Sequence, residues 1–312
     1  MDNSKSIVVV YGGTGYYGRK VVERLLLKGQ SVRVVSRNLL TAKKILGEKV
    51  DIFLGDVTQR ETITNSLKNV KTVIICLSAM SNKLIRKMKE IELDAVLNIM
   101  EEAKKANISR LIYMSGYEIR MPLLEKLKIP EFGEIKFNVE SKIRNSDFNW
   151  TILGDSPAFE IFFAFLRGNK MIVPGGGYKP IPTISADDVG EIIAQSAIRD
   201  DLSGMRLKLT GPEAFTFPEF ASMFSKITGN EIKHFAIPLL IVNVITFLLI
   251  PFAPFARYLF KSLKMLNNFP TDLSENVPND HKILRDLFSY EPVTLKDEII
   301  KRFKKEKRAR GE

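Results

Sequence analysis

The chain has 312 residues, 45% of them apolar and 27% charged, with a formal net charge of +11. That length suits one large domain or two modest ones with a full core, and the composition excludes a disordered or fibrous class. Cys76 is the single cysteine and His234 and His281 are the only histidines, so an intrachain disulfide, a metal site and a Ser-His-Asp hydrolase are not expected.

The first apolar run, Ile7–Tyr11, is too short for a signal-peptide core and reads as a strand. It runs straight into Gly12-Gly13-Thr14-Gly15-Tyr16-Tyr17-Gly18, and a helix is expected over Gly18–Lys28. Gly12 lets the chain turn sharply off the strand, Gly15 lets backbone approach a pyrophosphate, and Gly18 lets the helix pack on the sheet. The helix N-terminus then offers N–H groups and a positive dipole end to phosphate. The alternative, an ordinary glycine turn, fits this strand-and-helix context poorly.

The second strand, Ser31–Ser36, ends in Ser36-Arg37-Asn38. A site for NAD usually carries Asp or Glu here for the ribose 2′-hydroxyl, whereas a guanidinium grips a 2′-phosphate with two bonds. NADP(H) is therefore the preferred cofactor, with NAD(H) admissible if Arg37 is only a solvated strand end.

Further strands are expected at Val50–Leu54, Thr72–Leu77, Arg110–Met114 and Trp150–Leu153, and helices at Leu39–Leu46, Arg60–Leu67, Asn82–Ala106 and Glu134–Ser146. Most strands are continuous apolar runs, the pattern of a parallel sheet buried on both faces. Strand–helix alternation gives an α/β fold, a doubly wound parallel Rossmann sheet over 1–210. Ile184–Val189 reads as a strand end entering an aspartate-capped helix, and Arg206–Thr210 as a further strand before Gly211-Pro212.

Residues 211–312 form the smaller, mostly helical substrate or partner region. Phe235–Ala256 holds no charged residue, but Pro238, Pro251 and Pro254 interrupt it. Its longest proline-free piece, Leu239–Ile250, is shorter than a membrane span and reads as a buried core helix. The alternative is an interfacial segment, because Arg257, Lys261 and Lys264 follow among Tyr258, Leu259 and Phe260. Peripheral membrane contact would then run through 237–264 and the basic tail. That tail, Lys296 to Arg310, reads as a solvated helix end or as a patch for anionic lipid. No nucleic-acid motif accompanies it, so no nucleic-acid partner is expected. The expected location is cytoplasmic, at a membrane only by peripheral contact.

With these residues in hand, the chain resembles the NmrA-like branch of the atypical short-chain dehydrogenase/reductases over nearly its whole length. The markers are Gly12–Gly18, Ser36-Arg37, Gly55-Asp56-Val57, Met114-Ser115-Gly116, Ile135–Glu140, Trp150–Leu153, Asp188-Val189 and Leu209–Glu213. Within the branch, 237–264 has the style of the chloroplast-encoded and cyanobacterial members that act in photosystem II assembly. The resemblance implies that Asp56 and Val57 flank the adenine ring and that Ser78 lies near the cofactor. Asp56 capping its own turn is an equal alternative.

The resemblance also implies a Ser, a Tyr and a Lys, the last two spaced YxxxK so that one helix face carries both. Lys136 fits the lysine and Ser115 the serine, but Phe132 stands where the tyrosine belongs. The one literal YxxxK, Tyr16 to Lys20, lies in the glycine loop and is a decoy. Three readings follow: Lys136 acts as acid and base with its pKa lowered by burial, Tyr117 replaces the phenol, or the protein binds cofactor without chemistry. The catalytic candidates are thus Lys136, Tyr117 and Ser115, with Lys136 also holding cofactor.

The family's usual Arg-Pro pair after the sixth strand is Gly154-Asp155 here, so substrate identity does not transfer. Phe159, Phe162, Phe163 and Phe165 wall an apolar pocket or, more commonly, belong to the core. The resulting expectation is an NADPH-dependent oxidoreductase for a small apolar substrate. The alternative is a non-catalytic NADP(H)-binding redox sensor or assembly factor docked on a membrane complex.

Overall fold

Apolar on both faces, the IVVVY run has a stable place only in the middle of a covered sheet, and the computed structural model puts it there. Residues 6–128, 130–249, 253 and 255–310 are described. In chain order the elements begin β1 (Ile7–Tyr11), α1 (Gly18–Leu27), β2 (Ser31–Ser36), α2 (Leu39–Leu46), β3 (Asp51–Leu54), α3 (Arg60–Ile63) and β4 (Val70–Ile75). They continue through α4 (Ala95–Lys105), β5 (Arg110–Gly116), α5 (Met121–Leu127), α6 (Pro130–Arg144) and β6 (Asn149–Asp155). Next come α7 (Glu160–Phe163), β7 (Leu166–Arg167), β8 (Lys170–Pro174), β9 (Ile181–Pro182), α8 (Ala186–Ala197), β10 (Met205–Leu209) and β11 (Ala214–Phe215). Last are α9 (Phe217–Thr228), β12 (Lys233–Ile237), α10 (Leu239–Leu249), α11 (Phe255–Asn267), α12 (Thr271–Glu275), α13 (Val277–Leu287) and α14 (Leu295–Arg310).

Two compact units interleave along the chain. The first is Met1–Met121, Pro130–Asp155 and Ala186–Lys208; the second is Pro122–Ile129, Ser156–Ser185 and Leu209–Glu312. The main sheet has the order β10-β6-β5-β4-β1-β2-β3, and β1 to β6 pair in parallel. The order reverses between β1 and β4, the point where such sheets open a ligand crevice beyond the strand C-termini.

α1 lies against the sheet through Val21, Val22 and Leu25, each buried and each stabilising by about 1.5–3 kcal/mol. Its other neighbour is α8, tied to it by Lys20–Asp187 at 2.7 Å and Lys28–Glu191 at 2.5 Å. The expected helix over Asn82–Ala106 is broken. A 3₁₀ turn (Ile85–Lys87) and a π turn (Glu90–Asp94) precede α4, and the π turn carries Glu92 into the interior.

In the second unit, Phe159 and Phe162 are buried with Phe217 and Phe220 in a common core, and Phe162 stacks on Phe220 at 5.0–5.1 Å from its two ring partners. The aromatic run is thus core at Phe159 and Phe162. Thr216 and Glu219 form a reciprocal capping box that starts α9. The expected core helix at Leu239–Ile250 is corrected: α10 buries none of its residues, and Leu240 and Phe247 are 74% and 72% exposed. Only Asn243 and Thr246 in this short helix are polar, too few to mark which side meets the core, so periodicity misread it. Among the described residues no helix is long and apolar enough to cross a membrane.

Candidate functional site

The glycine loop forms a backbone cradle at the switch point. Gly12 has φ +83°, and a side chain there would strike the Cys76 carbonyl. A side chain at Gly18 would strike the Gly12 carbonyl and lie 2.9 Å from the Gly13 Cα. The Gly15 amide donates to the Gly12 carbonyl at 2.9 Å, closing the turn. The first turn of α1 has no side-chain cap and no acidic residue, so no side chain of that turn offsets its positive end. Gly13 is buried, Thr14 half-buried and Gly15 exposed. Tyr16 and Tyr17 pack edge to face at 5.1 Å, with Arg19 over the Tyr16 ring at 5.5 Å.

Beyond β2, the Ser36 hydroxyl bonds the Asn38 backbone, donating to its carbonyl at 3.2 Å. Asn38 in turn caps α2 by accepting from the Thr41 amide at 2.9 Å. This leaves Arg37 exposed at the rim, and no carboxylate pairs with it among the described residues. Asp56 is engaged locally: one carboxylate oxygen accepts from the Thr58 amide at 3.0 Å and the Thr58 hydroxyl at 2.8 Å. Val57 packs half-buried on the main core. Ser78, just past β4, is exposed, its hydroxyl within 3.4 Å of the Met80 amide.

Lys136, on α6, is buried, and its ammonium lies 3.1 Å from the Glu92 carboxylate. It also sits over the Tyr113 ring at 5.2 Å and near the Phe132 ring at 5.8 Å. Phe132 thus lies beside the lysine, one turn before it on α6. Glu92 uses its other oxygen to accept from the Ala79 amide at 2.7 Å, which ties the π turn to the loop after β4. Burial alone would lower the Lys136 pKa, but Tyr113 and Glu92 outweigh it and raise it. An acid–base role needs the opposite direction. That direction speaks against the acid–base reading of Lys136 and favours a role as a positive charge paired with Glu92.

Ser115 on β5 is buried, and its hydroxyl has no hydrogen-bond partner among the described residues. Tyr117 is buried too, with Lys208 over its ring at 5.3 Å. Arg206 braces this strand end, donating to the Gly116 carbonyl at 2.8 Å and to the Tyr117 carbonyl at 3.2 Å, and pairing with Glu140 at 3.0 Å. The residues brought to Lys136 are Glu92 and Tyr113, which sequence reasoning passed over. Both left a trace. Glu92 falls on the apolar face that Val96 and Ile99 define, and Tyr113 shares a strand face with Ser115. Asp155 closes β6, partly buried; burial pushes its carboxyl up to about 7, against Lys136 and a hydrogen bond from Tyr17. The Cys76 thiol is buried and pushed up to about 12, so it stays protonated and inert.

Known proteins bear on this geometry. The photosystem II assembly factor Ycf39 of Trieres chinensis is 23% identical, over 77% of this chain and 74% of its own. The chloroplastic divinyl chlorophyllide a 8-vinyl-reductase of Arabidopsis thaliana is 27% identical, over 76% of this chain and 61% of its own length. The Citrobacter sp. triphenylmethane reductase complexed with NADP(H) shares the fold at TM-score 0.75 and 18% identity, covering 95% of this chain and 99% of its own. An Escherichia coli NADPH-dependent quinone oxidoreductase complexed with NADPH does so at 0.73 and 18%, with the same coverage. Residues 12–199, from the first loop glycine to just past α8, match the NAD(P)H-binding family profile. The chain belongs to the NAD(P)H-binding family, within its NmrA-like atypical short-chain dehydrogenase/reductase branch.

Proposed function

We propose that the protein is an NADP(H)-dependent oxidoreductase acting on a small, flat, apolar acceptor. The observation that carries this reading is the pairing of an open glycine cradle with an unpaired guanidinium at the end of β2. Backbone of Gly12–Gly18 holds the diphosphate, Arg37 and Ser36 take the 2′-phosphate, and Val57 with the turn at Asp56 borders the adenine. Ser78, Ser115 and Tyr117 border the other end of the crevice, with Lys136 as a fixed charge beneath it. A reduced nicotinamide bound there supplies hydride. The acceptor class is drawn from the conjugated ring compounds in the relatives' names: a quinone, a triphenylmethane and a chlorophyllide.

Calorimetric titration with NADPH and NADH tests the cofactor, and loss of reduced-nicotinamide absorbance with a panel of quinones and enones tests the activity. NADPH is expected to bind more tightly than NADH. Equal affinities would end the NADP preference, and a panel without turnover would end the oxidoreductase reading.

One observation favours a second role at a lipid surface, as an assembly or sensing factor. The uncharged, mostly apolar α10 is exposed, and α11 beside it carries Arg257, Lys261 and Lys264. No acidic residue occurs between Glu231 and Asp272, so this segment complements anionic headgroups. Cosedimentation with phosphatidylglycerol vesicles, but not with phosphatidylcholine, is expected and should vanish in Leu240→Glu/Phe247→Glu. Equal behaviour of the variant and the parent would dismiss it.

A further inference from the structure

The chemistry proposed above needs a proton, and Lys136 with the rings beside it is poorly set to give one. Phe132 has none to give, and Lys136 is held as an ammonium by Glu92 and Tyr113. Tyr113 is fully buried, and burial raises its pKa. Asp155 differs. It is the last residue of β6, in register with Gly116 at the end of β5, at the C-terminal edge of the parallel sheet. Part of its surface stays open.

A second contact fixes its place. The Tyr17 hydroxyl, from the glycine loop after β1, hydrogen-bonds the Asp155 carboxyl. β4 and β5 lie between β1 and β6 in the sheet, so this bond links the glycine loop to a strand three places away. The other titratable groups acting there are Lys136 from α6, Glu92 from the π turn and Cys76 after β4. Their effects divide: Lys136 favours the carboxylate, Glu92 opposes it, and the Cys76 thiol stays neutral.

We propose that Asp155 is the proton donor of this site and that Tyr17 is its positioning residue, aiming the carboxyl across the crevice at the acceptor. The proposal rests on the oxidoreductase reading. Hydride from the coenzyme brings two electrons and one hydrogen to an enone or quinone. The Asp155 O–H bond breaks, its proton joins the resulting oxyanion or carbanion, and the carboxylate regains a proton from water. The two hydrogens and two electrons of the reduced acceptor are then accounted for.

The test joins a direct titration to kinetics. In protein labelled with ¹³C at aspartate carboxyls, the resonance missing from Asp155→Asn is expected to titrate near neutral pH. In Tyr17→Phe its midpoint should move to higher pH, since the lost hydrogen bond favoured the carboxylate. Asp155→Asn should bind NADPH as the parent does but reduce the acceptor about 10²–10⁴-fold more slowly. The parent's rate should fall above neutral pH, and the variant's residual rate should not follow it. A resonance titrating near 4, or an Asp155→Asn variant with parental rate and pH profile, overturns the proton role alone. A parent that binds NADPH and reduces nothing overturns the oxidoreductase reading and the proton role together.

Discussion

The glycine loop and the cluster around Lys136 are built in opposite ways. The cradle is backbone: seven consecutive residues between β1 and α1, where what matters is the absence of side chains at Gly12 and Gly18. The cluster is side chains from separate elements, with Glu92 from the π turn, Tyr113 from β5, Lys136 from α6, Asp155 from β6 and Tyr17 from the loop. A cradle of backbone amides is stable wherever its turn is stable. A buried charge cluster is stable only while every partner is present.

The sharpest way to break the comparison is to remove one partner of the buried pair. Lys136→Met is expected to destabilise the protein by about 3–5 kcal/mol, because the Glu92 carboxylate stays buried without its cation. Adding Glu92→Gln to that variant should restore much of the loss, and urea unfolding measures both. If the single variant were as stable as the parent, the lysine would not be compensating a buried charge. Loss of turnover in Lys136→Ala would by itself report folding as much as chemistry.

On the cradle side, Gly18→Ala forces a methyl group against the Gly12 carbonyl. Overpacking of this kind costs about 1–3 kcal/mol, and the displaced loop should weaken NADPH by at least about tenfold, which is 1.4 kcal/mol. Thermal unfolding and calorimetry read the two effects separately. Parental affinity would mean that the loop does not carry the diphosphate.

Arg37→Ala acts at the cradle's far rim and is expected to be milder still. Hydrogen bonds to charged groups contribute about 1.5–3 kcal/mol, and this guanidinium is exposed, so the lower end applies. NADPH affinity should fall about tenfold while NADH affinity stays the same. A parallel fall in both would make Arg37 a general electrostatic contributor and remove its part in selecting the phosphate.

The same contrast explains what was legible in the sequence. The glycine loop, β1, β2 and the Ser36-Arg37 rim are local, and each residue's job follows from its immediate neighbours. Phe132 in place of a tyrosine was legible for the same reason, one turn from Lys136. Glu92 and Tyr113 were not, because their meeting with Lys136 depends on how a broken helix, a strand and a distant helix pack. Asp155 stood out in the sequence only as a departure from a familiar pair; its bond with Tyr17 exists only across the folded sheet. α10 failed for a different reason. Nine apolar residues out of eleven specify a helix but not which face is covered, and the fold leaves it at the surface.

A pH-dependent test probes the cluster's most unusual member through stability alone, without cofactor. In the native state the Asp155 carboxyl is held up to about 7 by burial, against an ordinary value of 3.8. Below pH 4 both native and unfolded chains keep this proton, and the group is neutral in its effect. Between pH 4 and 7 the unfolded chain loses the proton while the native chain retains it, so the native state binds more protons and stability falls as pH rises. Above pH 7 the loss is complete. Asp155→Asn mimics the protonated carboxyl at every pH. Its Tm should therefore match the parent's at pH 4 and exceed it by a few °C at pH 8. A variant less stable than the parent at pH 8 would mean that Lys136 and Tyr17 hold Asp155 as a stable carboxylate. The cluster would then be a closed set of ion pairs with no proton to exchange.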